Sequence, residues 1–368
     1  MNRIIDFLKK EIVLSVSFVL ALISMFFVPP SEKYFDYIDF RTLGLLFSLM
    51  TIMAGLNKMG IFRLLAKNLL NKAKTMRGVT LLLVSLCFFS SMLITNDVAL
   101  ITFVPFSVVL LKLANKQNRM IFVVTLETIA ANLGSMLTPI GNPQNLYLFS
   151  AYNMSISDFF YTIAPYAMLS LGLLVIFSLF SDKSELANLG DREEVIFDKR
   201  LLTMYAVLFA IALLSVFRVL NYIVLLAAVI VFVLIFDRKV LLKVDYSLLF
   251  TFVFLFIFIG NLGNIAQINS WLSEIVGGNE VVVGVLASQV FSNVPAAILL
   301  SGFTCNAAAL MIGVNIGGLG TLIASMASLI SFKFIQKESV SIAKYLGVFT
   351  LLNVVFLAAN LALWVVVK

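Results

Sequence analysis

The apolar residues of this chain fall in long runs, not in alternation and not in the narrow stripes of surface helices. Runs lie near 12–28, 43–56, 79–94, 98–111, 120–140, 159–180, 201–217, 220–236, 246–260, 281–291, 307–330 and 345–367. Several approach the ~20 residues that a helix needs to cross a hydrocarbon core. Continuous Leu, Phe and Val of that length is unlike the short alternating segments of an outer-membrane barrel. The pattern predicts an all-α polytopic membrane protein. Because spans continue after it, segment 12–28 is read as the first of them and not as a removed signal peptide.

Four places interrupt the pattern. Thr95-Asn96-Asp97 divides 78–112 and Phe291-Ser292-Asn293-Val294-Pro295 divides 281–302. Each is expected to form a hairpin, of two full spans or of re-entrant arms that stop at mid-depth. Segments 118–151 and 305–333 hold polar clusters and are expected as broken helices. Non-helical polar backbone at membrane depth is tolerated only where protein or water surrounds it, so the breaks are functional hints.

Composition agrees with the pattern. Hydrophobic residues make up 61% and charged residues 12%, against about 45–50% and about 25% in soluble domains. Histidine is absent, and the two cysteines, Cys87 and Cys305, both fall within apolar segments. Most zinc sites and histidine-based triads are thereby excluded. No H-E-x-x-H, G-x-S-x-G or P-loop pattern occurs, so an enzyme is not expected and no cofactor is implied.

The net charge of +7 is an orientation signal. Of 26 Lys and Arg, 22 lie before residue 12 or in 58–77, 112–119, 183–200, 238–243 and 333–344. By the positive-inside rule these segments and the N-terminus are cytoplasmic, as in a bacterial inner membrane protein. Nucleic acid is not an expected partner.

The breaks match one another. Thr95-Asn96 followed by Ala99 parallels Ser292-Asn293 followed by Ala296. Asn132 pairs with Asn315, Thr138 with Thr321, Asn142 with Ser325 and Asn145 with Ser328. Five full crossings separate the spans that begin near 41 and 246, an odd number, so the second copy is inverted. The expected organisation is a first repeat over 1–181, with an interfacial helix at 60–72 and a closing span at 159–181. A cytoplasmic linker at 182–200 leads to the second repeat over 201–368, with spans at 201–217, 220–236, 246–264 and 345–367. The inverted counterpart of the interfacial helix is expected at 265–277, with Trp271 as an anchor.

Inverted repeats with matched polar breaks point to a secondary transporter whose site lies near the midplane. Half-helix N-termini attract anions and the opposing carbonyls can coordinate Na⁺. The candidate ligands are Thr95, Asn96, Asp97, Asn132, Thr138, Gly141, Asn142 and Asn145, with Ser292, Asn293, Asn315, Thr321, Ser325 and Ser328. Na⁺ is expected near Thr95, Asn96 and Asn142 and near Ser292, Asn293 and Ser325. Singly, such residues are often packing glue between membrane helices; four matched clusters favour function.

On these motifs, Thr95-Asn96-Asp97-Val98-Ala99, Thr138-Pro139-Ile140-Gly141-Asn142-Pro143-Gln144-Asn145, Ser292-Asn293-Val294-Pro295 and Asn315-Ile316-Gly317-Gly318, the chain resembles the ion transporter superfamily, in its citrate-transporter-like branch. That superfamily includes divalent anion/sodium symporters and arsenite permeases. The resemblance implies two opposed hairpins and two broken helices in a mobile body, a separate scaffold, homodimerisation through that scaffold, and elevator-like alternating access coupled to Na⁺ or H⁺. Dicarboxylate members carry Ser-Asn-Thr at both tips, whereas here Asp97 and Val294 take the third position. Asp97 resembles the Asn-Asp pair of the arsenite permeases.

Asp97 and Glu127 are the acids expected inside apolar runs, where ionisable groups are costly and functional by default. Both are coupling candidates. Glu127 precedes Asn132 by five residues, about a turn and a half of helix. The leading expectation is an ion-coupled transporter of a small anion, a carboxylate or inorganic oxyanion. The alternatives are a cation/proton antiporter and, more remotely, a channel or an intramembrane enzyme.

Overall fold

The structure, a computed structural model, describes residues 11–60, 75–184 and 198–367. The interfacial helix expected at 60–72 and most of the linker expected at 182–200 lie outside the described residues. Every regular element among the described residues is a helix. The first half contains α1 (Ile12–Phe27), α2 (Phe40–Lys58), α3 (Met76–Ile94), α4 (Asn96–Leu113), α5 (Met120–Ser135), α6 (Pro143–Ala151) and α7 (Ile156–Leu179). The second contains α8 (Lys199–Val216), α9 (Tyr222–Phe236), α10 (Tyr246–Gly263), α11 (Ala266–Val276), α12 (Glu280–Phe291), α13 (Asn293–Ser301), α14 (Ala307–Ile316), α15 (Met326–Ile335) and α16 (Ile342–Val367).

Seven of these helices, α2, α3, α4, α7, α8, α10 and α16, are long and apolar enough to cross a membrane. The protein is an all-α polytopic membrane protein. The two hairpins are α3–α4 and α12–α13, and the broken helices are α5–α6 and α14–α15. Their arms differ in length. The first hairpin has arms of 19 and 18 residues, the second of 12 and 9. The expected segment at 265–277 is α11, whose Trp271 is exposed. Cys305 falls in the exposed connection between α13 and α14, outside the apolar helix in which the sequence pattern had placed it.

Local chemistry sets the helix starts. Asp39, Thr75, Asn142, Ser155, Asp198, Asn221, Asp245 and Asn306 each cap a helix by accepting a backbone N–H from its first turn. Such a cap contributes about 1 kcal/mol. Pro143 begins α6, where its missing N–H costs nothing.

Helix α5 is the axis of an inner body. Every residue from Met120 to Ser135 except Phe122 is buried, as befits a helix that is apolar all round. It packs against α3, α4, α7, α15 and α16, and α14 packs likewise on α12 and α13. Helices α1, α2, α8, α9 and α10 lie outside this body, with α2 against α8 and α9 and α1 against α10. Lys58 pairs with Asp237 at 2.8 Å and ties the end of α2 to the end of α9.

The α3–α5 crossing is close enough to need glycine. A Cβ at Gly134 would stand 2.2 Å from the Phe88 carbonyl oxygen. At Gly317, its repeat partner, a Cβ would stand 2.8 Å from Ser288 Oγ. We expect Gly134→Ala to lower unfolding stability in detergent by about 1–3 kcal/mol through overpacking. A thermal melt matching the wild type would show that this crossing can spread.

Candidate functional site

Each hairpin turns on one residue. Thr95 has φ 71° and ψ 154°, and Ser292 has φ 72° and ψ 154°. This is a region that only glycine enters freely, and a side chain there costs about 1–3 kcal/mol. The next residue holds each tip in place. Asn96 donates its N–H to the Gly141 carbonyl at 3.2 Å, and Asn293 donates to that of Ala324 at 2.9 Å. Gly141 and Ala324 each stand just before the N-cap residue of the second half of a broken helix, Asn142 or Ser325. Helices α4, α6, α13 and α15 therefore begin at this place, and α3, α5, α12 and α14 end there.

Amide side chains link the two halves. Ser325 donates its hydroxyl to Asn132 Oδ1 at 3.0 Å, and Asn142 Nδ2 donates to Asn315 Oδ1 at 3.2 Å. These are one contact seen twice, with the halves exchanged. Asn132 Oδ1 also accepts from Asn96 Nδ2 at 3.2 Å. Asn142 Nδ2 also reaches Ser135 Oγ at 3.2 Å, while Asn142 Oδ1 caps α6. Ser325 caps nothing with its side chain.

The symmetry then fails in one respect. Asn315 Nδ2 donates to Asn145 Oδ1 at 2.6 Å. The matching partners in the other half are Asn132 Nδ2 and Ser328 Oγ, both buried and without a hydrogen-bond partner. Serine is shorter than asparagine and leaves a donor and a hydroxyl open. Asp97 Oδ1 is likewise buried without a partner, and the Asp97 N–H donates to Asn96 Oδ1 at 3.0 Å. Asp97 lies in the first turn of α4, where the helix dipole favours negative charge. The cluster contains amides and hydroxyls, Asp97 adjoins it through its N–H, and neither Lys nor Arg is bonded into it.

Most of the expected residues meet here, and some do not. Thr138 turns its hydroxyl to the Met92 carbonyl and clamps the break to α3. Thr321 is exposed, and its backbone is what is engaged: the N–H donates to Gln289 Oε1 at 2.9 Å and the carbonyl accepts from the Ala324 N–H at 3.2 Å. Glu127 bonds to Ser107 and no residue of the cluster. Gln289 is a residue the sequence pattern missed. Its Nε2 donates to the carbonyls of Gly317 at 2.8 Å and Leu319 at 2.9 Å. It precedes Ser292 by three residues, as Met92 precedes Thr95, and a glutamine inside an apolar run was the available signal. Glu280 was missed as well. It is buried and accepts from Thr304 Oγ1 at 2.9 Å.

An all-α membrane protein whose matched polar breaks converge on one cluster belongs to the class of membrane transporters. The sequence profile of the citrate transporter family, CitMHS, matches residues 4–310, and the chain belongs to that family. Over 350 residues it is 32% identical to the transporter MJ0456 of Methanocaldococcus jannaschii, covering 94% of this chain and 95% of that one. Over 328 residues it is 33% identical to the inner membrane protein YbiR of Escherichia coli, covering 84% and 83%. A shorter match, 33% over 162 residues, is to the silicon efflux transporter LSI3 of Oryza sativa subsp. japonica, covering 43% of this chain and 32% of that one.

Gln289→Leu strands the Gly317 and Leu319 carbonyls. The expected cost is about 1–3 kcal/mol, read as a lower melting temperature, whereas Thr321→Ala should melt within error of the wild type. Equal melting of both variants would contradict the bracing role of Gln289.

Proposed function

We propose that the protein is an ion-coupled secondary transporter of a small oxyanion or carboxylate, bound where the four breaks meet. The observation that carries this reading is the open pair, Asn132 Nδ2 and Ser328 Oγ, at the convergence of four helix N-termini. An amide N–H, a hydroxyl and helix N-termini are acceptor-seeking groups and suit solute oxygens. Asp97 supplies the opposite chemistry. Its unpartnered oxygen accepts a proton or a cation, or an O–H of a partly protonated solute, and neutralises a charge that would otherwise oppose the anion. Na⁺, where it couples, would use oxygens of Thr95 and Ser292 with carbonyls at the ends of α5 and α14. Amide oxygens of Asn96 and Asn142 are already engaged, with the Asp97 and Asn145 N–H groups.

Alternating access would follow from movement of the inner body against α2 and α10, with the two halves inverted across the membrane. The boundary between them is mostly apolar packing with isolated polar ties, such as Thr102 Oγ1 to Asn57 Oδ1 at 3.0 Å. The outer helices α8 and α9 keep exposed apolar side chains, including Val207, Leu214, Ile230 and Leu234, which suit lipid or a second copy in a homodimer. Mass measurement in detergent distinguishes one copy from two.

A cation/proton antiporter is the second reading, favoured by Asp97 adjoining a cluster without a basic residue. Flux into proteoliposomes under imposed Na⁺ and pH gradients, with citrate, succinate, sulfate, phosphate and arsenite, separates the two. Uptake of one or more of these solutes is expected. No uptake, together with Na⁺-driven proton release, would establish the antiporter instead.

Two substitutions test the assignment. Asp97→Asn should abolish gradient-driven uptake, and uptake at the wild-type rate would remove Asp97 from coupling. Ser328→Asn restores the bond that Asn145 makes in the other half, so it should raise thermal stability and depress uptake at least tenfold. Unchanged uptake in a stabilised Ser328→Asn variant would place the solute elsewhere.

A further inference from the structure

Glu127 has no part in the cluster just described, yet it is a fully buried acid in a helix of which every residue but Phe122 is buried. Both arms of the first hairpin meet it. Ser107 of α4 donates its hydroxyl to Glu127 Oε1 at 2.5 Å, and Cys87 of α3 places its Sγ 3.8 Å from the same oxygen. Oε2 has no partner.

No positive charge accompanies the carboxyl. The three ion pairs among the described residues are Lys58–Asp237, Lys112–Glu338 and Lys116–Asp182. Of the helices packed on α5, α3 presents the Cys87 thiol and α4 the Ser107 hydroxyl. The charged residues Arg77, Asp97, Lys112, Asp158, Lys333 and Lys344 of these and the other packed helices lie within the first or last turns. None of them bonds to Glu127, nor does the buried Tyr345 of α16. An ionised carboxyl without a cation and with one oxygen undonated is disfavoured by several kcal/mol in such a place. The group is therefore held neutral, with its proton on Oε2, the oxygen that nothing accepts from or donates to.

A bracing role does not require an acid here. In the repeat register that pairs Asn132 with Asn315, Glu127 falls on Leu310, which is also fully buried. Helix α14 packs on α12 and α13 as α5 packs on α3 and α4. The same position in the same packing is filled by an aliphatic side chain in one half and by a carboxyl in the other.

We propose that Glu127 is a proton-binding site enclosed between α5 and the first hairpin, and that it carries a proton coupled to transport, distinct from the proton or cation taken up at Asp97. In the packing described, the proton is loaded and sealed. When the hairpin arms shift on α5, water reaches Oε2 and takes the proton, leaving the carboxylate with the Ser107 hydroxyl and, through the opening, with solvent. Reprotonation lets the arms close again. The assignment rests on the transporter reading above but concerns a different place in the protein from the solute cluster.

The test uses full-length protein in proteoliposomes. Infrared spectra of wild type and Glu127→Gln should differ by one protonated-carboxyl stretch that shifts in deuterated buffer. Solute exchange without gradients, and accumulation under a pH gradient, are measured with the same five solutes. Glu127→Gln and Glu127→Leu are expected to keep exchange and thermal stability near wild type while pH-driven accumulation falls at least tenfold. Accumulation at the wild-type level in either variant, or the absence of the carboxyl band, would overturn the proposal. A collapse of thermal stability in Glu127→Leu, with accumulation retained in Glu127→Gln, would make the residue a structural brace and overturn it as well. If the wild type exchanges none of the solutes, the oxyanion reading fails while the infrared comparison still decides whether Glu127 holds a proton.

Discussion

A helix that stops inside hydrocarbon leaves its terminal N–H or C=O groups unpaired, at several kcal/mol for each group without a partner. This chain makes eight helix ends meet in its interior, and the rest of the structure is organised around satisfying them. The cost of one end is offset by the cost of another. The N–H beyond each hairpin tip finds the carbonyl before the break of its own half, and the amides of Asn132, Asn142, Asn145 and Asn315 cross-link what remains. Around this polar centre the apolar surroundings must be tight enough to keep lipid out, which explains the glycine at the α3–α5 crossing and the almost complete burial of α5.

The same constraint bears on the site proposed for the solute. A perfectly symmetric network would satisfy every amide and leave nothing to bind with. Here, among other differences between the halves, Asn145 is matched by the shorter Ser328, and that shortfall falls on Asn132. A solute oxygen arriving there meets a donor that already lacks a partner, so it displaces no protein hydrogen bond.

How much of this could be read in advance depended on the kind of signal. The spans and breaks were legible because apolar run length and polar interruption are properties of contiguous residues. Thr95 and Ser292 were found as paired positions, although their shared backbone conformation was not, since nothing in a threonine or serine announces a glycine-like φ. The matching of Asn132 with Asn315 and of Asn142 with Ser325 was legible through the repeat; that the contacts run crosswise, Ser325 to Asn132 and Asn142 to Asn315, was not. Gln289 escaped because its partners are backbone carbonyls separated from it by 28 and 30 residues. The exposure of Thr321 was not legible, because repeat alignment transfers position and not orientation. Its counterpart Thr138 clamps α3, while in the second half the glutamine performs that service and frees the threonine. The unequal lengths of the two hairpins were legible as well, in the bounds 78–112 and 281–302, because the polar breaks and flanking polar residues mark both ends.

The two tips carry a further consequence for how this protein can change. Glycine would relax both backbones, so selection for stability alone would place it at 95 and 292. Threonine and serine stand there instead, each with a strained φ. The fold thus gives up some stability at two points beside the polar centre, where glycine would bring no hydroxyl. Variants recovered from a screen for heat resistance should include glycine at these two positions, and those survivors would be the quietest transporters of the set.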